Sequence, residues 1–371
     1  MLRKSSAYGH LAVESLEDRQ LLAGDVSVTV NGGNLLIRGD AEDNVIAITA
    51  GEDPGQFVIA GFDDSNGDPT SIEGVENGEL VVDGVTGNLF VGLGGGDDSL
   101  FLTDAELPRN VVVFAGTGND FVLVGQGPQP LDPEPTPEVA LDAPLPEIPI
   151  DTGPVHVAGN LVLQFGPGDD RLEQHAVRVG RNEVVQMGLG DDIARLGLGP
   201  AIVPDEPTDT ADLPPDRPLG VAVQGNLSVQ LGAGNNGFAA RHLHVGRNLH
   251  VGGYNGEDRI ALVDATIGHF AFVHTGGGAD NVVLNGVEAR YALINTGAAD
   301  DRVRITDSVF GGLGVLLGSG DDHVAVGGTS VRWLAFFDGG PGTDTGENLG
   351  GNSFGNLIRI RFENEPEPDE A

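Results

Sequence analysis

The sequence predicts an all-β chain, a right-handed parallel β-helix of about ten coils of 21–22 residues, on three observations. A glycine–aspartate turn recurs at that interval, apolar residues keep fixed positions around it, and asparagines form a further column. Self-similarity at such a period marks a solenoid, because one coil cannot bury its inner face without the next.

The turn reads Gly-x-Gly-Asp-Asp at 94–98, 166–170, 188–192 and 318–322, with Asn119 replacing the first Asp at 116–120. Degenerate copies end at Asp43, Asn236, Asp258, Asp280, Asp301 and Asp344. With the last residue of each copy as the mark, the steps from 236 onward are 22, 22, 21, 21 and 22. Seven residues before the marks stand Leu36, Val91, Val113, Leu163, Val185, Val229, Val251, Val273, Ile294, Val315 and Phe337. Two residues after them stand Val45, Leu100, Val122, Leu172, Ala194, Phe238, Ile260, Val282, Val303 and Val324. Apolar residues alternate within each coil, the two-residue period of a strand. Each coil therefore has one strand before the turn, one after it, and room for a third short strand.

Ten residues before the marks lie Asn88, Asn110, Asn160, Asn182, Asn226 and Asn248. Asparagine tolerates left-handed geometry, and a stacked amide can donate to one neighbour and accept from the other. The column is similar to the asparagine ladders of pectate-lyase-type β-helices and has a structural role.

Two steps are too long. The extra residues, 127–154 and 200–218, are acidic and rich in proline, a composition that builds no core and is expected to be extended or disordered. Both leave the coil five to seven residues past a mark, so they should emerge from one edge of the rod, two coils apart. Strand-like stretches at 45–49, 57–60 and 79–82 predict an irregular hairpin cap at the N-terminal end. Residues 356–362 fit a closing strand, and 363–371 an acidic tail. Caps are needed because an open sheet edge recruits other chains.

The formal charge is −37 and Lys4 is the only lysine, so the chain repels polyanions such as nucleic acid and attracts cations. No cysteine is present, which excludes disulfides and thiolate metal sites. No run of 18 apolar residues occurs, so no transmembrane helix is expected. Residues 1–24 begin with basic Arg3 and Lys4, but Glu14, Glu17, Asp18 and Arg19 interrupt the apolar stretch of an ordinary secretory signal. Residues 13–23, V-E-S-L-E-D-R-Q-L-L-A, resemble the N-terminal LEPR-XLL motif of planctomycete surface and exported proteins. Leu16, Glu17, Arg19, Leu21 and Leu22 match, and Asp18 stands where the motif has proline. The resemblance implies export to the cell surface or beyond.

Residues 93–101, L-G-G-G-D-D-S-L-F, resemble the calcium-binding nonapeptide of RTX proteins at Gly94, Gly96, Asp98 and Leu100. The family's nine-residue tandem is absent. The resemblance implies calcium at Asp97, Asp98, Asp120, Asp169, Asp170, Asp191, Asp192, Asp300, Asp301, Asp321 and Asp322. Coils ~4.8 Å apart bring these carboxylates close enough to repel by about 0.9 kcal/mol per pair in water. Backbone N–H groups, arginines such as Arg171, Arg259 and Arg302, or a hard cation can offset that repulsion. Glycine with positive φ and aspartate capping free N–H groups explain the same motif as turn chemistry.

Other candidates are weaker. His242, His244 and His250 could hold a divalent ion if two share a strand face, or simply lie scattered on the surface. Arg109, Arg181, Arg247, His269 and Arg290 form a basic column eleven residues before the marks. Arg247, His269 and Arg290, in consecutive coils, could grip an acidic glycan or neutralise nearby carboxylates. A polysaccharide lyase or glycosidase needs one singular pair of acid and base groups, whereas this aspartate pair repeats in nearly every coil. The expected function is therefore non-catalytic: an extracellular structural or adhesive rod whose partner is a surface or matrix polysaccharide or protein. A cleft lined from several coils would favour the carbohydrate-active alternative.

Overall fold

The computed structural model describes residues 24–127, 152–197 and 220–363. They form a β-solenoid, with no helix among the described residues. The main sheet holds the strand before each glycine turn, from Leu89–Gly95, Val111–Thr117 and Leu161–Gln164 onward. After the turn, a return sheet runs through Ser99–Leu102, Phe121–Gly125 and Arg171–His175. Short strands such as Ala105–Leu107 and Val155–Val157 supply the third side of the coil. Coil pairs with coil in parallel throughout the body. From Thr266–Gly277 on, short and main strands fuse into single strands. Two of these, Thr266–Gly277 and Val309–Ser319, show register shifts at the bend.

The columns read from the sequence are the core. Val91, Val113, Leu163, Val185, Val229, Val251, Val273, Ile294, Val315 and Phe337 pair in that order. All are buried, and the column from Leu100 to Val324 behaves alike. Each fully buried aliphatic side chain contributes ~1.5–3 kcal/mol, which stacking secures without helices or disulfides.

The first coil corrects the reading by one residue. Leu36 and Val45 are only partly buried, whereas Leu35, Ile37 and Ile46 fill the core. Ile37 pairs with Val91 and Ile46 with Leu100, so the mark is Asn44 and not Asp43. In a strand a slip of one residue turns every side chain to the other face.

The asparagine ladder is present and gains a rung from this shift. Each Oδ1 accepts from the backbone N–H and the Nδ2 of the next asparagine, and Asn34 accepts from Asn88 in the same way. None of these asparagines has positive φ, so the side-chain bonding accounts for the column and left-handed geometry does not. Left-handed residues serve another corner. Six residues past the marks, Asp104, Ala176, His242, Asp264, Gly286, Asp307 and Gly328 have positive φ where the return strand turns into the short strand.

Both proline-rich insertions adjoin this corner, since the described chain stops at 127 and 197 and resumes at 152 and 220. The N–H of Gly127 donates to Thr152 Oγ1 at 2.8 Å, which ties one pair of ends together. Residues 128–151 and 198–219 lie outside the described residues, as do 1–23 and 364–371.

The N-terminal cap is an antiparallel meander of Val45–Ala50, Phe57–Gly61 and Glu79–Val82. Asp25–Asn31 adds a hairpin with Asn34–Arg38. At the other end Leu357–Ile360 pairs with the last full coil and sets Arg359 against Phe337, so a charge ends the apolar column. An inward charge on an edge strand discourages further stacking.

Candidate functional site: the stacked aspartate turns

The adjacent residues of each turn build two ladders that run in opposite directions. The second residue, from Asp98 to Asp344 with Asn236 among them, is 0–2% exposed. Its Oδ1 accepts the backbone N–H of the equivalent residue one coil earlier at 2.7–3.0 Å. Glu363 continues this inner ladder by accepting from the Asp344 N–H at 2.8 Å. The first residue (Asp97, Asn119, Asp169, Asp191, Asn235, Asp300 and Asp321) is exposed and accepts the N–H of the equivalent residue one coil later at 2.7–2.8 Å. One side chain thus reaches back and its neighbour reaches forward. Glycine is required beside them: a Cβ on Gly118 would lie 2.0 Å from the Gly96 carbonyl oxygen, and its φ is +123°.

The inner carboxylates are left half satisfied. Oδ2 of Asp98, Asp120, Asp170, Asp192, Asp258, Asp280, Asp301, Asp322 and Asp344 is buried without a hydrogen-bond partner among the described residues. Burial, opposed by the N–H bond, pushes Asp98 up to about 8, Asp192 and Asp258 to about 7, and Asp170, Asp301 and Asp322 to about 6. Asn236 shows the neutral alternative, because its Nδ2 donates to the Gly234 carbonyl at 3.1 Å. No three His, Cys, Asp or Glu side chains converge on a common metal position among the described residues. Arg171 is bound to Glu173 at 2.8 Å, and Arg259 and Arg302 make no ion pair among the described residues.

The three histidines do not come together. His242 is the left-handed corner residue, His244 starts a short strand, and His250 lies on the main sheet with its ring stacked 5.2 Å from Phe272. His242 and His244 line a groove of about 850 Å³ between the 51–55 loop and the outer side of the short strands. Asp104, Glu106, His156 and Arg178 also line it, and Glu106, His156 and Arg178 sit side by side in successive coils. Sequence reasoning missed this groove, because the 51–55 loop that walls it belongs to the irregular cap.

A second buried polar site was also missed. Glu183 and Gln174 occupy core columns, Glu183 between Leu161 and Leu227 and Gln174 between Val124 and Leu196. Gln174 Nε2 donates to Glu183 Oε1 at 2.6 Å, and burial lifts Glu183 to about 7. The break in an otherwise apolar column was the available signal.

Arg109, Arg181, Arg247, His269 and Arg290 lie exposed beside the bend between short and main strands. None forms an ion pair among the described residues.

No curated protein matches the chain. Among solved structures it is similar to a hyperactive, Ca2+-dependent, β-helical antifreeze protein from an Antarctic bacterium. The identity is 15%, covering 76% of this chain and 78% of that one, with a TM-score of 0.38. No helix among the described residues is long and apolar enough to cross a membrane. A family model described as Planctomycete extracellular matches residues 9–26, and the protein is accordingly extracellular.

Proposed function

We propose that the protein is a non-catalytic structural or adhesive rod of the cell exterior, stiffened by calcium or protons at its inner aspartate ladder. One observation carries this reading: in coil after coil the aspartate pair spends an oxygen of each side chain on the backbone of a neighbouring coil. Side chains committed to stacking serve the length of the rod, whereas catalysis needs a singular pair free to move protons. The buried, unpartnered Oδ2 atoms need a positive counterpart, and a hard oxygen-seeking cation or a proton supplies one. The likeness of 93–101 to the calcium nonapeptide belongs with the same reading. Asp169, Asp170, Asp191 and Asp192, and Asp300, Asp301, Asp321 and Asp322, are the intact adjoining pairs where calcium is expected first.

Calorimetry and melting on chelated protein test this. Calcium binding at millimolar or lower concentration, with a rise in Tm, is expected. Absence of both removes calcium from the proposal and leaves the proton.

The groove of Glu106, His156 and Arg178 favours the alternative, a carbohydrate-active enzyme, because it is lined from several coils. Incubation with neutral and acidic polysaccharides separates the readings. Unchanged chain length fits the rod. Cleavage that disappears in Glu106→Gln or His156→Ala replaces it.

A further inference from the structure

We propose that the bend between short and main strands in the C-terminal coils is a binding platform for a linear polysaccharide bearing carboxylates. The platform spans five coils, from Arg247 to Arg332, which is about 20 Å along the rod. It is independent of the calcium reading, since it shares no residue with the aspartate turns.

Its floor is built. Where earlier coils place the asparagine ladder, these place Phe270, Tyr291, Gly312 and Leu334, paired in that order. Gly312 and its neighbour Gly311 leave room for rings from the adjacent coils. A Cβ on Gly311 would lie 2.4 Å from Trp333 Cζ3, and one on Gly312 would lie 3.2 Å from Tyr291 Cδ1. The Tyr291 and Trp333 rings consequently meet over the glycines, centroids 5.3 Å apart, although a whole coil lies between them. Phe270, Tyr291 and Trp333 are 37%, 43% and 39% exposed, a large apolar surface to leave in water. Aromatic faces of this kind pack against the C–H faces of sugar rings.

The charge around the floor selects an acidic ligand. Arg290 lies 5.7 Å from the Tyr291 centroid and Arg332 6.0 Å from that of Trp333, so two guanidinium groups are held against the rings. Arg247 and His269 continue the stripe. In a chain with 56 acidic residues against 19 lysines and arginines, Arg247, Arg290 and Arg332 form no ion pair among the described residues. The charge-neutralising role is therefore unfilled at contact range, and these forks are open to carboxylates from outside. Glu288, two residues before Arg290, makes no ion pair among the described residues, and Asp338 is bound to Arg361. In the adjoining main sheet the outward Phe272, His274, Leu293, Asn295 and Leu316 carry no negative charge, and Asp338, paired with Leu316 in the same row, is the carboxylate bound to Arg361.

The test titrates chelated full-length protein with polygalacturonate fragments at low and high salt, with dextran as the uncharged comparison. Salt-sensitive binding of polygalacturonate, and none of dextran, is expected. The triple variant Arg247→Gln, Arg290→Gln, Arg332→Gln should bind at least ~10-fold more weakly, given the strength of charge-assisted hydrogen bonds. Trp333→Ala should weaken binding with its charge unchanged. The control triple Arg259→Gln, Arg302→Gln, Arg304→Gln has the same net charge on the return sheet and should bind like the parent. Circular dichroism and Tm verify that each variant folds. The proposal fails if the parent does not bind, if dextran binds as well, or if the control triple loses as much as the platform triple. Rod-to-rod association abolished by Trp333→Ala, with no polygalacturonate binding, would make the platform a contact between copies and also overturn it.

Discussion

Asp258→Asn separates the two roles of the inner ladder, acceptor and buried charge. Asp258 Oδ1 accepts the Asn236 N–H at 3.0 Å, and its Oδ2 has no partner among the described residues. An asparagine keeps the acceptor and turns the orphan oxygen into a donor, as Asn236 already does toward Gly234. Burial raises Asp258 from 3.8 to about 7. As pH climbs through that window the unfolded chain ionises while the folded rod retains its proton, so stability is full below the lower value and is lost toward the higher. At ~1.4 kcal/mol per pH unit the loss has an upper bound of about 4 kcal/mol, and screening at the solvent edge of the turn reduces it to ~1–2 kcal/mol. In chelator, Asp258→Asn should therefore melt with the parent near pH 3.5 and above it at pH 8. The assay is Tm against pH by circular dichroism, with Asp258→Ala as the companion that also removes the acceptor and should be destabilised at every pH. A parent more stable than Asp258→Asn at pH 8 in chelator would refute the account of the ladder as a store of unfavourable charge.

Replacing both buried polar partners, Glu183→Leu with Gln174→Val, should be neutral or stabilising, and more so above pH 7 where Glu183 ionises; Glu183→Leu alone strands Gln174 and should lower Tm relative to the double variant. Val273→Asp places a carboxylate in the central column and should unfold several coils, read as a large fall in Tm and in strand signal, because it removes ~1.5–3 kcal/mol of burial and adds a buried charge. Asn160→Ala removes the acceptor for the backbone and side-chain N–H of Asn182 and should cost about 1–3 kcal/mol by thermal or urea melting.

The strands, columns and ladder were legible because stacking demands the same residue type at the same place in every coil. The register failed in the first coil alone. There Asp43 precedes Asn44, and either can end a turn, so the pattern offered two marks where the pairing of Ile37 with Val91 admits one. The left-handed corner went unread because Asp, Ala, His and Gly all occupy it, and only its backbone is shared. Residues adjacent in sequence, such as Asp191 and Asp192, look equivalent as letters. The structure gives them opposite directions and opposite exposures, which the backbone of the glycine turn produces and composition does not reveal. The basic stripe of the platform was legible, but its aromatic floor escaped for a related reason: Tyr291 and Trp333 are 42 residues apart, and two glycines in the intervening coil bring them together.

The opposed ladders bear on how such a rod changes length. Each coil offers one acceptor backward and one forward, and asks the same of its neighbours. A unit of 21 or 22 residues can thus be duplicated or deleted within the body without leaving a broken rung, provided the cut falls at equivalent positions in two coils. The ends are different, since the inner series opens at Asn44, beside the N-terminal cap, and closes with the longer side chain of Glu363. Length is therefore adjustable in whole coils, about 4.8 Å at a time, while the two terminal pieces are fixed. Unequal recombination between neighbouring repeats in the gene would yield folded rods of a new length in one step, a route closed to proteins whose core closes on itself.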